Sequence, residues 1–334
     1  MSTQNPLISI LVAVRNEEAN LDRCLNSLAY LRSHGQSWEV WLGDDQSEDQ
    51  SGKMIRYFVW DKPHFHLLSI THPRGQARGK ANVIAHLANQ AQGSLLFMSD
   101  ADVVLPKDWL HLAEYFEDDP RLGVLAGLVF PRGACLFHHL QSLEWAAMFA
   151  LLEQAARWQL PITMMGANMV VHKTAYKAVG GYEGMPFSIT EDFALFHQIV
   201  RQGFRFNIVI RAESTVFTPA LSSPRAYLQQ RKRWLRGGWQ SPWWLKSGIV
   251  AYAAYLPLCG GLWWLGAPLP ALFGLVVKMG IEALLIYRVL REVRQRWLMI
   301  YLPLYQPYIL LSTLAVLVFY LLPFKISWKG RTYS

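Results

Sequence analysis

Up to about Phe217 the chain alternates short apolar runs with polar, turn-rich loops, and after Trp243 it becomes almost continuously apolar. The runs at residues 7–14, 38–43, 66–70, 95–98 and 123–129 read as strands, and the segments 20–31, 50–60, 79–91 and 107–116 between them carry helical periodicity. Strands alternating with helices predict an α/β fold, a mostly parallel sheet flanked by helices. Residues 248–266, 269–287 and 299–322 are each nearly free of charge and long enough to cross a bilayer as helix. The C-terminal third therefore reads as membrane.

Composition sharpens this division. Apolar residues make up 52% of the chain and charged residues 17%, and apart from Lys278 and Glu282 the charges avoid the three long runs. The net charge of +8 raises the possibility of nucleic acid, but its location argues against it. Arg225, Arg231, Lys232, Arg233, Arg236 and Lys246 precede the first long run, and Arg288, Arg291, Arg294 and Arg296 lie between the second and third. Basic clusters beside apolar spans read as cytoplasmic anchors to anionic lipid, and no nucleic-acid-binding motif accompanies them. The run at 7–14 is too short for a signal peptide and is followed at once by Arg15, Asn16, Glu17 and Glu18, so the first domain is expected in the cytoplasm. Cys24, Cys135 and Cys259 show no paired spacing, which argues against zinc and structural disulfides.

In parallel sheets ligands bind beyond the carboxyl ends of the strands, so the loops that follow each strand carry the chemistry. These loops are acidic: "RNEEAN" after the first strand, "DDQSED" after the second and "SDAD" after the fourth. Carboxylates gathered at one edge repel each other unless something positive balances them. A hard divalent ion, Mn²⁺ or Mg²⁺, binds through one or two carboxylates together with nucleotide phosphates. In an extended stretch Asp100 and Asp102 point to the same side and can face one metal diphosphate together. Taken alone, a D-x-D reads more readily as an acidic surface loop. The motifs around it decide.

"SILVAVRNEEANLDRCLNSL", "VWLGDDQSEDQS", "GKANVIAH", "MSDADVVLPKDWL", "GANMVVHKTAYKAVGGYE", "SITEDFAL" and "QQRKRW" follow one another in the order and spacing of family 2 glycosyltransferases. From Ile8 to Trp234 the chain resembles the membrane-bound branch of that family, which includes cellulose, chitin and hyaluronan synthases and ceramide glucosyltransferase. The basic end "WKGRTY" is similar to the tail of some members. The resemblance implies a GT-A fold, nucleotide-diphospho-sugar transferase-like, over residues 1–240, with interfacial helices near 135–158 and 223–240. A membrane domain of about three hydrophobic segments follows over 241–334. It also implies the roles. Asp45, with Asp44 beside it, matches the motif holding the uracil and ribose of a UDP-sugar, and Lys80 matches a position near the donor. Asp100 would contact the donor sugar or ribose, and share with Asp102 the metal that carries the diphosphate. Asp192, the last residue of "TED", matches the general base, and Gln230, Arg233 and Trp234 match the Q-x-x-R-W motif. Ala13 and Val14 depart from the proline-containing pattern that many members show before Arg15.

The residue chemistry agrees with these roles. A hydroxyl attacking an anomeric carbon must lose its proton, and a carboxylate within reach can take it. Glu191 and Asp192 sit at a predicted helix start with Thr190 as N-cap, so only one points into a cleft, and helix-dipole stabilisation is the alternative reading. Gln230, Arg233 and Trp234, at i, i+3 and i+4, share one helix face. There an arginine can stabilise charge on a leaving diphosphate and a tryptophan offers a flat surface for a ring. The flanking Arg231, Lys232 and Arg236 suit a basic helix face resting on lipid. Residues 135–158 are too polar to span and read as an interfacial helix, with His138 and His139 as interface residues, not ligands.

Lys278 and Glu282 in the second span are an i, i+4 pair, read as a mutual ion pair with acceptor-headgroup contact as the alternative. Three full crossings would leave "KISWKGRTYS" outside, against the positive-inside tendency, unless Pro303 and Pro307 break the last segment into a re-entrant or interfacial one. The expected function is inverting transfer from a nucleotide sugar, UDP-linked, to a lipid or lipid-linked acceptor at the cytoplasmic face of the inner membrane, with a lipid or glycan acceptor as partner. A processive polysaccharide synthase is the alternative, for which three spans give little channel material. An inactive nucleotide-sugar-binding subunit would have no use for a positioned base.

Overall fold

The computed structural model describes residues 8–238, 243–328 and 331–333. Its chain divides into two compact units, the first comprising Met1–Phe130 and Glu153–Pro219 and the second Pro131–Leu152 and Ala220–Ser334. Leu7 of the first expected strand, residues 239–240 of the expected interfacial helix, and Lys329 and Gly330 of the basic end lie outside the described residues.

In the first unit the element order is β1 (Ile8–Val14), α1 (Glu18–Ala29), β2 (Trp38–Asp44), α2 (Ser51–Val59), β3 (Phe65–Ser69), α3 (Lys80–Gln90) and β4 (Leu95–Asp100). A 3₁₀ turn (Trp109–Ala113), α4 (Glu114–Asp118), β5 (Leu122–Gly127) and β6 (Val129–Arg132) follow, and α5 (Leu136–Arg157) runs from the second unit back into the first. The first unit then continues with β7 (Asn168–His172), α6 (Lys173–Ala178), α7 (Gly181–Gly184), α8 (Glu191–Arg201), β8 (Arg205–Val209) and β9 (Val216–Pro219). Seven strands form one sheet in the order β3-β2-β1-β4-β7-β5-β8. β3, β2, β1 and β4 are parallel, β7 is antiparallel to β4 and β5, and β8 is parallel to β5. β1 is apolar throughout except for Ser9, and all its residues but Ala13 are buried, as a central strand covered on both faces requires. Ser9 is satisfied there, donating to Glu39 Oε1 at 2.6 Å and accepting from the Gly93 amide.

Two features of this sheet place the chemistry. Parallel register sets Val14 beside Asp44 and Ala13 beside Asp100, so both acids end their strands at one sheet edge. The strand order reverses between β2-β1 and β1-β4, the crevice where open α/β sheets bind ligands. Gly43 of β2 lets α3 close on the sheet, since a Cβ there would stand 2.4 Å from Val83 Cγ1. That approach holds Lys80, the first residue of α3, at the same edge.

The second unit contains α9 (Pro224–Gly237), α10 (Trp243–Trp264), α11 (Pro268–Glu292), a 3₁₀ turn (Arg296–Tyr301), α12 (Leu302–Leu321) and an antiparallel pair, β10 (Ile326–Trp328) with β11 (Arg331–Tyr333). Trp243–Trp264, Pro268–Glu292 and Arg296–Leu321 are long and apolar enough to cross a membrane. Pro303 falls in the first turn of α12 and Pro307 inside it, yet the helix continues to Leu321, so neither proline breaks the segment. The Lys278–Glu282 pair forms at 2.7 Å and extends across three helices. Tyr252 of α10 donates to Glu282 at 2.9 Å, Lys278 donates to Gln306 of α12 at 3.0 Å, and Gln306 donates back to Glu282.

Candidate active site

At the carboxyl edge of β1 and β2, Asp44 Oδ1 accepts from the Ser47 amide at 3.1 Å, which turns the chain toward α2. Asp45 is buried. Its amide donates to the Val14 carbonyl at 2.9 Å and its carbonyl accepts from Arg15 Nη1 at 2.5 Å. The arginine after the unusual Ala13-Val14 pair thus ties the loop after β1 to the loop after β2.

At the end of β4, Asp100 pairs with Lys80, whose ammonium also lies 3.7 Å from Glu191. Burial alone would make Lys80 give up its proton more easily, but Asp100, Glu191 and Asp192 outweigh it and hold the proton above the ordinary lysine value. The positive charge that the acidic edge demanded is thus partly the protein's own. β4 stops at Asp100, and the chain turns at Ala101, whose side chain is fully buried. Asp100 and Asp102 therefore do not share the face of one extended strand, contrary to the expectation from their spacing. They still share a neighbourhood: burial, then Asp102, Asp100 and Glu17, push the Cys24 thiol far above its usual range.

α8 begins at Glu191 with Thr190 at its N-cap, but the Thr190 hydroxyl makes no capping bond to the helix. Asp192 instead turns to the backbone, with Oδ2 accepting from Gly166 N and Oδ1 from Phe193 N, both at 2.8 Å. A Cβ on Gly166 would stand 3.1 Å from Asp192 Cβ and 3.3 Å from Lys80 Nζ, so only glycine fits there without displacing them. Tyr182 is buried nearby, its hydroxyl held protonated by burial and then by Glu191, Asp192 and Asp100. Lys80, Asp100, Glu191 and Asp192 thus form one cluster, with Asp102 beside Asp100. Gly166 lies within a quoted block but carried no expected role.

The motif of α9 belongs to the second unit. Gln230 Oε1 accepts from Arg231 Nη1 at 2.7 Å. The Trp234 ring meets Trp145 edge-on at 5.7 Å, and the Arg231 guanidinium covers Trp234 at 4.2 Å. Arg231 and Lys232 do not face lipid, which corrects the basic-face reading for both. Arg231 is buried against Glu144, and Lys232 donates to the Phe319 and Leu322 carbonyls at the end of α12, the partners that a helix C-terminus offers a cation. Arg236 remains exposed. Glu144 escaped sequence reasoning, although a lone acid within an apolar helical stretch signals a buried partner. His139 packs against Trp297 and Tyr301, with ring centroids 5.0 and 4.7 Å away.

The profile of glycosyl transferase family 2 matches residues 9–180, and that of glycosyl transferase family group 2 matches residues 95–328. The chain belongs to glycosyl transferase family 2. This family 2 chain is 26% identical over 242 residues to a beta-monoglucosyldiacylglycerol synthase of Synechocystis sp., covering 70% of this chain and 48% of the relative. It is 31% identical over 110 residues to the undecaprenyl-phosphate 4-deoxy-4-formamido-L-arabinose transferase of Pectobacterium carotovorum, covering 32% and 33% of the two chains. The chain spans about half the length of the first of these relatives. Among solved structures it is similar to the mannosyltransferase PcManGT from Pyrobaculum calidifontis in complex with GDP-Man and Mn²⁺. The TM-score is 0.57 at 19% identity, over 92% of this chain and 88% of the other. That likeness establishes the GT-A fold.

The acid edge fits a divalent ion in one manner only. Among the described residues no group of three His, Cys, Asp or Glu side chains is arranged to hold a metal alone. Hard oxygen donors from one or two aspartates, completed by diphosphate oxygens, are the donor set that Mg²⁺ and Mn²⁺ accept.

Proposed function

We propose that this chain transfers a single sugar, or very few, from a UDP-linked donor to a hydroxyl group of a lipid acceptor, inverting the anomeric carbon at the cytoplasmic face of the inner membrane. The observation that carries the reading is the Lys80 ammonium between Asp100 and Glu191, one residue from Asp192. It joins the acids at a nucleotide-type crevice to a carboxylate pair suited to proton removal.

In this reading Asp44 and Asp45 hold uracil and ribose, and Lys80 and Asp100 border the donor sugar. Asp102, with Asp100, would hold a divalent ion, which when bound neutralises charge on the diphosphate. Asp192 takes the proton of the acceptor hydroxyl. The hydroxyl oxygen bonds to the anomeric carbon while the bond to the diphosphate oxygen breaks, and UDP leaves with the electron pair. A single displacement inverts the centre. Gln230, Arg233 and Trp234 keep the donor-binding roles that their motif implies.

The carboxylate pair favours a hydroxyl over a phosphate acceptor. A phosphate is already ionised, so a base has nothing to remove, and adjacent carboxylates repel it. The relatives named for glycolipid and lipid-phosphate chemistry support a lipid-linked acceptor. The test uses the full chain in detergent with labelled nucleotide sugars and a membrane lipid extract. Label should enter a lipid with a one-sugar mass increment. A long, glycosidase-sensitive polymer would promote the processive synthase instead.

A further inference from the structure

We infer that Tyr308, on the third long apolar helix, is a positioning residue for the Q-x-x-R-W motif. Its hydroxyl fixes the Glu144 carboxylate, and Glu144, through Arg231, fixes the posture of Gln230 and Trp234. The inference rests on the donor-binding role proposed above for that motif, and every residue it uses lies in the second unit.

A carboxylate has about four acceptor positions and turns easily about its last side-chain bond unless donors hold both oxygens. On Glu144 of α5, the Arg231 guanidinium takes Oε1. Oε2 accepts from Tyr308 at 2.8 Å, and the Tyr227 hydroxyl reaches both oxygens, at 3.1 and 3.2 Å. Arg231 and Tyr227 both belong to α9 and move with it. Tyr308 belongs to α12, so its bond ties the carboxylate to a different helix.

Arg231 passes the constraint on. It is buried, its Nη1 donates to Gln230 Oε1 at 2.7 Å, and its guanidinium lies 4.2 Å from the Trp234 ring centre and 4.6 Å from that of Tyr227. A planar cation held by a carboxylate and two rings cannot tilt without disturbing what it touches. A second tie joins the same two helices, since Lys232 donates to the Phe319 and Leu322 carbonyls at 3.1 and 2.6 Å. The motif is thereby referred to a helix long and apolar enough to cross a membrane.

The hydroxyl can be removed without the ring. Phe137 meets the rings of Tyr227 and Tyr308 edge-on, at 5.9 and 6.4 Å, so Tyr308→Phe keeps this packing and loses one hydrogen bond. Tyr252 is the matched control. Its hydroxyl donates at 2.9 Å to Glu282, a carboxylate whose other partners, Lys278 and Gln306, lie on α11 and α12 and not on the motif helix.

The experiment is calorimetric titration of the full chain in detergent with UDP in the presence of Mn²⁺. Tyr308→Phe should weaken UDP binding about fivefold, while Tyr252→Phe, which loses a bond of the same kind, should stay within about twofold of the parent chain. In a Gln230→Ala background the Tyr308→Phe penalty should largely disappear, because both act along one line of contacts. Parent-like binding in Tyr308→Phe would overturn the inference. So would an equal loss in Tyr252→Phe, or a penalty of full size in the Gln230→Ala background, and each of these leaves the proposed function standing. Parent-like binding in both Gln230→Ala and Arg233→Ala would overturn the donor role of the motif and this inference with it, as would a parent chain that binds no UDP.

Discussion

Arg231 donates from both Nε and Nη2 to one oxygen of Glu144, at 3.2 and 2.8 Å. The same carboxylate accepts from the hydroxyls of Tyr227 at 3.1 Å and Tyr308 at 2.8 Å, so residues of α5, α9 and α12 meet on it. Burial would loosen the Arg231 proton, but the attraction of Glu144 outweighs it and keeps the guanidinium charged. Because Arg231 also donates to Gln230 and covers Trp234, Glu144 sets the posture of the Q-x-x-R-W face from a distance.

Glu144→Leu would leave a buried cation without its counter-charge, a loss of about 3–5 kcal/mol. Thermal unfolding in detergent should show a large drop for the single variant and a substantial recovery for Glu144→Leu with Arg231→Met. An equally unstable double variant would mean that packing, not charge, is what Glu144 supplies.

If Asp192 is the base proposed above, Asp192→Asn, which keeps the side chain's size but removes the carboxylate, should spare donor binding while turnover falls by about 10² to 10⁴. If Asp102 holds the ion as proposed, Asp102→Asn should weaken nucleotide-sugar binding itself. Calorimetric titration with the UDP-sugar, set beside turnover, separates the two. Normal turnover in Asp192→Asn together with a dead Glu191→Gln would move the base to Glu191.

Excess chelator should abolish both donor binding and transfer, with Mn²⁺ or Mg²⁺ restoring them, if Asp100 and Asp102 present an ion to the diphosphate. Undiminished transfer in chelator would leave the charge balance at Asp100 to Lys80.

The Lys80 proton is held above its ordinary value, so its ion pairs contribute stability that is fully present below the unfolded lysine value, about 10.4. That contribution is lost only as pH rises through the folded value. The stability gap between the parent chain and Lys80→Met should therefore be flat from about pH 6 to 9. A gap that closes within this range would show that Asp100 and Glu191 do not hold the lysine charged.

Within the apolar helices, Lys278→Met leaves Glu282 facing Tyr252 and Gln306 without a cation. The single variant should lose about 3–5 kcal/mol, and Lys278→Met combined with Glu282→Leu much less. Detergent unfolding midpoints of the two variants provide the comparison.

Periodicity made the strands, most helices and the three long apolar segments legible, because burial on both faces of a sheet or along a whole span imposes a pattern that each residue carries alone. The ordered motifs identified the family for the same reason: each block is local. The 107–116 segment was less legible. A 3₁₀ turn replaces the start of the expected helix there, as Trp109 buries its ring and donates to Asn168, 59 residues away. Partnership was not legible at all. That Lys80 bridges Asp100 and Glu191, that Gly166 steadies Asp192, that Arg231 and Lys232 turn inward to Glu144 and the end of α12, and that Asp102 follows a turn instead of a strand were decided by tertiary structure. A charge's partner depends on which distant segments the fold brings within a few ångströms. Sequence spacing speaks only for neighbours along one helix or strand.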